Sequence, residues 1–327
     1  MDNITHTLTA LMLSRAGLDR LTSRAPILLM LAANVPDLDV VVAVLGSHQY
    51  LDAHRGPTHG LPLAPLMAVA PVIVCGLARR PAAWAVALLG VLSHLLLDWT
   101  NIYGIRLLSP LSDRWFRLDI ATVVDPMIWV LLLLGVLWPL LARLVASEIG
   151  SRRSAHSGLA RFVLATMVIY LGARYFLHER AVNVLDSRVY SGEAPRQVAA
   201  LPDFINPLAW RGLVETGNTW QVHSVRLSRE FDPAAGRVLF KADNSIEVEA
   251  ARQAPPFQAL ERFSRTLLWQ SSPLAEPEGS REVTATDLRF AMPGEGRFTA
   301  LAIVDSSGRV LESGYTFMPK DGVPRPR

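Results

Sequence analysis

Cysteine, lysine and charged residues in general are scarce in this 327-residue sequence, in which only 19% of the residues are charged. The single cysteine, Cys75, cannot form an intrachain disulfide, so a disulfide-stabilised scaffold is excluded. The net charge of +3 is too small to indicate nucleic-acid binding, and we expect no nucleic-acid partner. Ordinary soluble domains contain roughly 25% charged residues. Because half of the residues are hydrophobic, the composition argues against a wholly soluble protein.

Four apolar segments approach the length of about 20 helical residues that crosses a hydrocarbon layer of ~30 Å. They cover residues 61–78, 82–99, 123–141 and 159–177, the last with Arg161 and Arg174 near its ends. Two shorter helical patterns, at residues 5–18 and 27–45, precede them. The second is expected to break at Val35, because Pro36 cannot extend a helix. We therefore predict an α-helical membrane bundle in residues 1–178, with about four spans plus two shorter N-terminal helices.

From residue 179 onward, acidic and basic residues are interspersed throughout the chain. A turn pattern at residues 305–308 and one helical pattern at residues 257–269 accompany several β-rich stretches. These stretches cover residues 220–227, 237–242, 245–250, 282–290, 297–304 and 310–317. Residues 179–327 are therefore predicted to form a small soluble domain that is α+β or mostly β.

The connectors between the spans indicate the orientation in the membrane. Basic residues favour the cytoplasmic side. They occupy the first and third connectors, at Arg79, Arg80, Arg143, Arg152, Arg153 and Arg161. Residues 46–60, 100–122 and the soluble domain are then predicted to lie outside the cytoplasm. Three arginines in the 100–122 connector, Arg106, Arg114 and Arg117, are an opposing signal.

Histidine and aspartate residues gather in short polar islands between the apolar runs. The islands contain His6, Asp37 with Asp39, His54 with Arg55 and His59, and His94 with Asp98, and Asp119 and Asp125 follow. Imidazole and carboxylate groups are ligands of borderline and hard divalent metals. His94 and Asp98 are four residues apart, so on a helix both side chains project from one face.

Each island by itself also has a structural interpretation. His94 and Asp98 can be a hydrogen-bonded pair inside a bundle, the 54–59 segment a surface loop, and residues 37–39 a solvated turn. In the predicted topology, however, the islands meet on one side of the membrane, which a shared metal site explains. We assign His6, Asp37, His54, His59, His94 and Asp98 as ligands, and Asp39, Asp119 and Asp125 as groups that orient the ligands or replace one of them. The other four histidines are interpreted as structural or as bystanders.

Longer stretches of the sequence around these islands resemble the membrane-bound, metal-dependent hydrolase family typified by the LexA-regulated inner-membrane protein YdjM. The similar stretches are MDNITHTLTA at 1–10, NVPDLD at 34–39, HRGPTHGLPLAP at 54–65 and the segment from 93 to 120 that begins SHLLLDWTN. They span roughly residues 1–130 in the family's order. The resemblance implies a multi-pass protein of the bacterial inner membrane with hydrolase activity, and it implies no particular substrate.

A looser similarity links the H-x-x-x-D pattern, the Thr-His pair near the N-terminus and the Pro-Asp turn to zinc-dependent phospholipase C and the P1-type nucleases. That similarity implies Zn²⁺ and cleavage of a phosphoester bond. Those enzymes use further histidines after the H-x-x-x-D pattern, and residues 99–103 contain none. One or two ions are therefore expected rather than three.

The predicted function is hydrolysis by metal-activated water at the membrane surface, outside the cytoplasm. A divalent metal, Zn²⁺ or else Mn²⁺ or Mg²⁺, lowers the pKa of bound water from 15.7 toward about 7. Asp39 or Asp119 is the candidate general base, and Arg55 is the candidate phosphate-binding group. The expected partners are membrane lipids, with a phosphodiester or phospholipid as substrate. Two alternatives remain: an ion or proton transporter, and a non-catalytic envelope protein whose metal fastens helices together.

Overall fold

The computed structural model describes residues 1–148 and 156–317, and these divide into two compact units. The first unit comprises Met1–Asp39, Arg55–Glu179 and Pro202–Ala209. The second comprises Val40–His54, Arg180–Leu201 and the described residues from Trp210 onward. Arg152 and Arg153, which enter the orientation argument, lie outside the described residues.

Helices make up most of the first unit. The first is α1 (Asn3–Arg15), which Asp2 caps by accepting hydrogen bonds from the backbone N–H groups of Ile4 and Thr5. The others, in chain order, are α2 (Ala25–Ala32), a 3₁₀ stretch (Val35–Leu45), α3 (Ser47–Ala53, in the second unit), two 3₁₀ turns (Pro57–His59 and Leu61–Leu63), α4 (Ala64–Met67), α5 (Val69–Val74), α6 (Pro81–Thr100), α7 (Pro126–Glu148) and α8 (His156–Asp186).

Among the described residues, three helical segments are long and apolar enough to cross a membrane: Ala25–Leu45, Pro81–Thr100 and Ser157–Asp186. A fourth is obtained if the broken pair Ser47–His59 and Leu61–Val74 counts as one span. A helical N-terminal region with three to four candidate spans therefore agrees with the sequence, whereas the number of spans stays a prediction.

Two of the predicted segments differ from the structure. Residues 61–78 are not one continuous helix, because prolines at 62, 65 and 71 interrupt the hydrogen-bond ladder and leave short helical pieces. The apolar part of α7, Pro126–Ala142, is also shorter than a full span. Residues 27–45 break as expected, since α2 ends at Ala32 and a 3₁₀ stretch begins at Val35.

A close approach between α2 and α6 positions the polar groups described below. Gly90 of α6 faces Ala32 of α2, and a Cβ atom added at Gly90 would lie 2.8 Å from the Ala32 Cβ. Asn34, just after α2, donates through its amide to the hydroxyl of Thr7 on α1 at 2.9 Å. These contacts fix the end of α2 against both neighbouring helices.

The second unit contains two four-stranded antiparallel sheets, each with its strands in chain order. The first sheet consists of β1 (Gln197–Pro202), β2 (Ala209–Glu215), β3 (Thr219–Arg226) and β4 (Arg237–Phe240). The second sheet consists of β5 (Leu267–Pro273), β6 (Arg281–Asp287), β7 (Thr299–Val304) and β8 (Val310–Thr316). Two helices, α9 (Ile246–Arg252) and α10 (Pro255–Phe263), lie between the sheets in the sequence.

Two local predictions in this unit were wrong. Residues 245–250 are not a strand, because the hydroxyl of Ser245 accepts from the Val248 N–H and caps helix α9. The helix predicted at 257–269 ends at Phe263, and residues 267–269 begin β5. The turn predicted at residues 305–308 does connect β7 to β8, with the Asp305 carboxylate accepting from the Ser307 and Arg309 N–H groups.

Candidate metal centre

Four side chains of the first unit converge at the C-terminal end of α6. Asp37 comes from the 3₁₀ stretch after α2, His59 from the short turn Pro57–His59, and His94 and Asp98 from adjacent turns of α6. Each offers one ligand atom, and these four atoms all lie within 4.8 Å of one another. A possible metal-binding site of aspartate and histidine residues is therefore present.

Five of the six separations between these atoms are close to those expected around a four-coordinate ion. Four N and O ligands placed tetrahedrally at about 2.0–2.1 Å from an ion lie about 3.4 Å from one another. His59 Nε2 lies 3.0 Å from His94 Nε2 and 3.4 Å from Asp37 Oδ1. Asp98 Oδ2 lies 3.5 Å from His59 Nε2 and 3.4 Å from His94 Nε2, and His94 Nε2 lies 3.7 Å from Asp37 Oδ1. The donor set therefore fits one small divalent cation.

Hydrogen bonds outside the cluster orient His94. Its Nδ1 lies 2.7 Å from the carbonyl oxygen of Ala33, which can only accept, so Nδ1 carries the proton. In the neutral ring, Nε2 then presents its lone pair to the centre of the cluster. The close packing of α2 on α6 at Gly90 supplies this carbonyl.

His59 is held by a polar chain on its other side. Its Nδ1 lies 3.0 Å from the hydroxyl of Thr58 and 3.5 Å from Asp39 Oδ2. Thr58 donates to Asp39 Oδ2 at 3.0 Å, so its hydroxyl oxygen remains able to accept from His59 Nδ1. In this arrangement two imidazole lone pairs face each other at 3.0 Å, which favours a proton or a cation between them.

Asp98 is fully buried, and its two oxygens have different surroundings. Oδ1 accepts from the Asn101 amide at 3.1 Å, lies 3.1 Å from Arg55 Nη2, and also contacts the Met1 amine. Oδ2 has no hydrogen-bond partner among residues 1–148 and 156–317. A buried carboxylate oxygen without a donor is costly, and a bound cation would satisfy it.

Arg55 adopts a left-handed backbone conformation, with φ of 56°, that directs its guanidinium toward Asp98. Its backbone N–H donates to Asp39 Oδ2 at 2.9 Å, and Nη1 donates to the Gly104 carbonyl at 3.0 Å. The guanidinium also stacks on Tyr103, 4.5 Å from the ring centroid. The guanidinium is therefore held rigidly and places a positive charge next to the cluster.

His6 borders the four-residue cluster without belonging to it. Its ring stacks on His94 with the centroids 3.8 Å apart, and its Nε2 lies 3.5 Å from Asp98 Oδ1. Within the part of the chain that the structure describes, neither ring nitrogen of His6 has a hydrogen-bond partner. His6 is therefore placed to join the ligands.

The remaining candidates are described by the contacts within their own units. His54 lies in the second unit, at the end of α3, with its ring stacked 4.6 Å from that of Tyr50. Asp119 accepts from Arg117 Nε at 3.0 Å. Asp125 caps α7 by accepting from the N–H groups of residues 127 and 128, and it also accepts from the hydroxyl of Tyr170. These contacts place Asp119 and Asp125 outside the four-residue cluster, and their predicted catalytic and metal-binding roles stay predictions.

Several groups that shape the site do not follow from the sequence patterns. The Asn101 amide donates to the ligand Asp98, and the Thr58 hydroxyl donates to Asp39. The carbonyl of Ala33 sets the orientation of His94. Asn101 follows Asp98 by three residues at the end of α6, a spacing that would have indicated it. A backbone carbonyl contributed by another helix leaves no signal in the sequence.

Comparisons with known proteins match the N-terminal half to one family. A model of the family described as "YdjM inner membrane protein" matches residues 1–181. The chain is also 24% identical, over 314 residues, to the Bacillus subtilis (strain 168) protein described as "Uncharacterized protein YfhP", covering 92% of this chain and 88% of that one. No solved structure matches. Because the family match extends over more than half of the sequence, the protein belongs to the YdjM inner membrane protein family.

Proposed function

We propose that this membrane protein binds a divalent metal and hydrolyses phosphoester bonds, with a phosphodiester or phospholipid as substrate. The observation that carries the proposal is the cluster of Asp37, His59, His94 and Asp98, whose separations match tetrahedral coordination and whose Asp98 Oδ2 has no hydrogen-bond donor within the described residues. His6 is a further ligand for a second ion. Zn²⁺ suits the mixed N and O ligands best, and Mn²⁺ or Mg²⁺ is the alternative.

The side chains of the cluster have distinct proposed roles. A divalent ion held there supplies a Lewis acid that lowers the pKa of water toward neutrality. Asp37 has 14% of its side chain exposed, whereas the other three ligands are fully enclosed, so substrate would approach from the side of Asp37. Arg55 would bind the phosphate oxygens, and Asp39 would orient His59 through Thr58.

The surroundings support a lipid-related substrate. The cluster lies where the apolar helix α6 ends, a position close to the head groups if α6 spans the bilayer. We further propose that this end of the bundle and the C-terminal domain, residues 179–327, face away from the cytoplasm. A reporter that is active only outside the cytoplasm, fused to the C-terminus, should then be active, and activity of a cytoplasmic reporter instead would refute this orientation.

Complete burial of three ligands favours a second candidate function. His59, His94 and Asp98 have no exposed side-chain surface, as is usual where a metal only fastens structural elements together. In that case the metal would stabilise the packing of α2 on α6 and would not act on a substrate. Measuring metal content and turnover in the same preparations separates the two functions.

The test uses detergent-purified protein, with elemental analysis and hydrolysis of bis(p-nitrophenyl) phosphate before and after chelation. We expect bound metal in the wild type, turnover that chelation abolishes and metal restores, and loss of both in His94→Ala. The matched control is His48→Ala, because His48 is half-exposed and lies outside the cluster. Bound metal with no turnover would support the fastening role. Absence of metal from the wild type would refute the site. Equal metal content in His94→Ala and His48→Ala would refute it as well.

A further inference from the structure

The loop that joins β1 to β2 is tightly structured yet presents apolar side chains to its surroundings. Asp203 Oδ1 accepts from the N–H groups of Ile205 at 3.0 Å and Asn206 at 2.8 Å. The side-chain oxygen of Asn206 accepts from the Leu208 N–H at 2.9 Å. Phe204 is 56% exposed, Ile205 72% and Leu208 41%. The polar side chains thus close the turn, and the apolar ones are left uncovered.

This loop belongs to the first unit and is hydrogen-bonded to α8. The loop, Pro202–Ala209, clusters with the helices of that unit. Arg174 of α8, which is 1% exposed, donates to the carbonyl of Pro207 through Nη1 at 2.5 Å. Its Nε donates to the carbonyl of Ile120 at 2.9 Å. One buried guanidinium therefore holds the loop beside the segment that leads into α7.

The position of Arg174 along α8 gives the depth of the loop. Arg174 lies within the apolar segment, and the polar sequence His178-Glu179-Arg180 begins four residues later. Four helical residues correspond to about 6 Å along the axis. If α8 spans the membrane, the loop lies about one helical turn below the polar boundary. Amphipathic segments at a membrane interface are buried about 5–10 Å, which is the same range.

Exposed aromatic side chains of α8 occupy the same level as the loop. Tyr175 and Phe176 follow Arg174 directly, with exposures of 42% and 74%. Aromatic residues concentrate where the hydrocarbon meets the head groups. A soluble surface does not favour a group of large exposed apolar residues of this kind, whereas an interfacial lipid environment does.

We infer that the β1–β2 loop inserts Phe204, Ile205 and Leu208 into the bilayer interface, where lipid head groups and upper acyl chains surround them. Arg174 fixes the depth of insertion by holding the Pro207 carbonyl. This inference depends on α8 crossing the membrane and does not depend on hydrolase activity or on bound metal.

The experiment places an environment-sensitive fluorophore at Ile205→Cys in a Cys75→Ala background, because Cys75 is the only native cysteine. The protein is reconstituted into vesicles and exposed to aqueous iodide or to lipids brominated at shallow or deep acyl positions. Ile169→Cys, on the exposed face of α8, is the lipid control, and Ser307→Cys, in an exposed turn of the second unit, is the aqueous control.

We expect shallow brominated lipids to quench residue 205 most strongly, and iodide to quench it several-fold less than residue 307. Iodide quenching equal to that at residue 307 would overturn the inference, and so would protection from both quenchers, which would mean that protein covers the loop. Quenching of residue 169 by iodide would overturn the span on which the inference depends.

A second measurement tests the role of Arg174. Arg174→Gln should increase iodide quenching at residue 205, because the loop loses its hydrogen bond to α8. Arg161→Gln is the matched control, since Arg161 also lies on α8 but donates to the carbonyl of Ala16 at 2.8 Å. Equal changes in both variants would refute a specific role for Arg174.

Discussion

Replacing Asp39 with asparagine should weaken metal binding without removing a ligand. Asp39 Oδ2 accepts from the Arg55 N–H at 2.9 Å and from the Thr58 hydroxyl at 3.0 Å, and it lies 3.5 Å from His59 Nδ1. The neutral amide retains the shape of the carboxylate and loses the charge that keeps the proton on His59 Nδ1. His59 Nε2 would then present its lone pair to the cluster less often.

The expected loss of metal affinity follows from the number of groups that contact Asp39 Oδ2. Loss of an outer partner of a metal-bound histidine typically costs 10–100-fold in metal affinity. That range corresponds to about 1.4–2.8 kcal/mol, at about 1.4 kcal/mol for each tenfold change. Because two hydrogen bonds and one histidine converge on Asp39 Oδ2, we expect the upper half of this range. Asp37→Asn alters a direct ligand and should therefore reduce metal affinity more than Asp39→Asn does.

The assay is a competition titration of the metal-free protein against a chromophoric chelator, which yields the dissociation constant. Thr58→Val should act in the same direction as Asp39→Asn, because it removes the hydroxyl between Asp39 and His59. Asp52→Asn is the matched control, since Asp52 is half-exposed and pairs with Arg262 in the second unit. An unchanged dissociation constant together with lost turnover would refute the positioning role and make Asp39 the general base.

Three further predictions concern packing, capping and pH. Gly90→Ala should overpack the contact between α2 and α6, because the new Cβ lies 2.8 Å from the Ala32 Cβ. We expect it to lower the free energy of unfolding by about 1–3 kcal/mol and to cause loss of metal, as measured by thermal unfolding and elemental analysis. Gly172→Ala, whose Cβ meets no described atom within 4 Å, is the control and should have neither effect. Asp125→Ala removes the cap of α7 and should lower the free energy of unfolding by about 0.5–2 kcal/mol, with metal content unchanged. Loss of metal at unchanged stability would instead indicate that Asp125 is a ligand. Burial lowers the pKa of His223, so its unfolded form takes up a proton first and stability should fall as the pH drops below about 6.5. In denaturant titrations below about pH 6.5, His223→Phe should reduce the slope of the free energy of unfolding against pH by up to about 1.4 kcal/mol per pH unit. A slope equal to that of the wild type would contradict this prediction.

The convergence of Asp37, His59, His94 and Asp98 could be predicted in outline from the sequence. His94 and Asp98 are one turn apart on a helix, and the short polar islands before them can lie only at the ends of apolar segments. The orientation of the two histidines could not be predicted in this way. It depends on the Ala33 carbonyl and the Thr58 hydroxyl, which helix packing brings into place.

Local patterns were least informative where they were short. Residues 245–250 alternate between polar and apolar side chains, which fits a strand as well as the first turn of a capped helix, and Ser245 decides in favour of the helix. Apolar residues at 257, 260 and 263 have helical spacing, and the pattern then changes to that of β5. A boundary between two apolar elements produces no change in composition, so the predicted helix extended too far.

The hydrogen bond between Arg174 and Pro207 has a consequence for synthesis of the chain. The two residues are 33 positions apart, so at roughly 5–20 residues per second the carbonyl of Pro207 is translated about two to seven seconds after Arg174. During that interval a cation within an apolar helix has to rely on water or on the Ile120 carbonyl for solvation. If α8 crosses the bilayer, its final seating is therefore expected to wait until the first β-hairpin of the following domain has emerged from the ribosome.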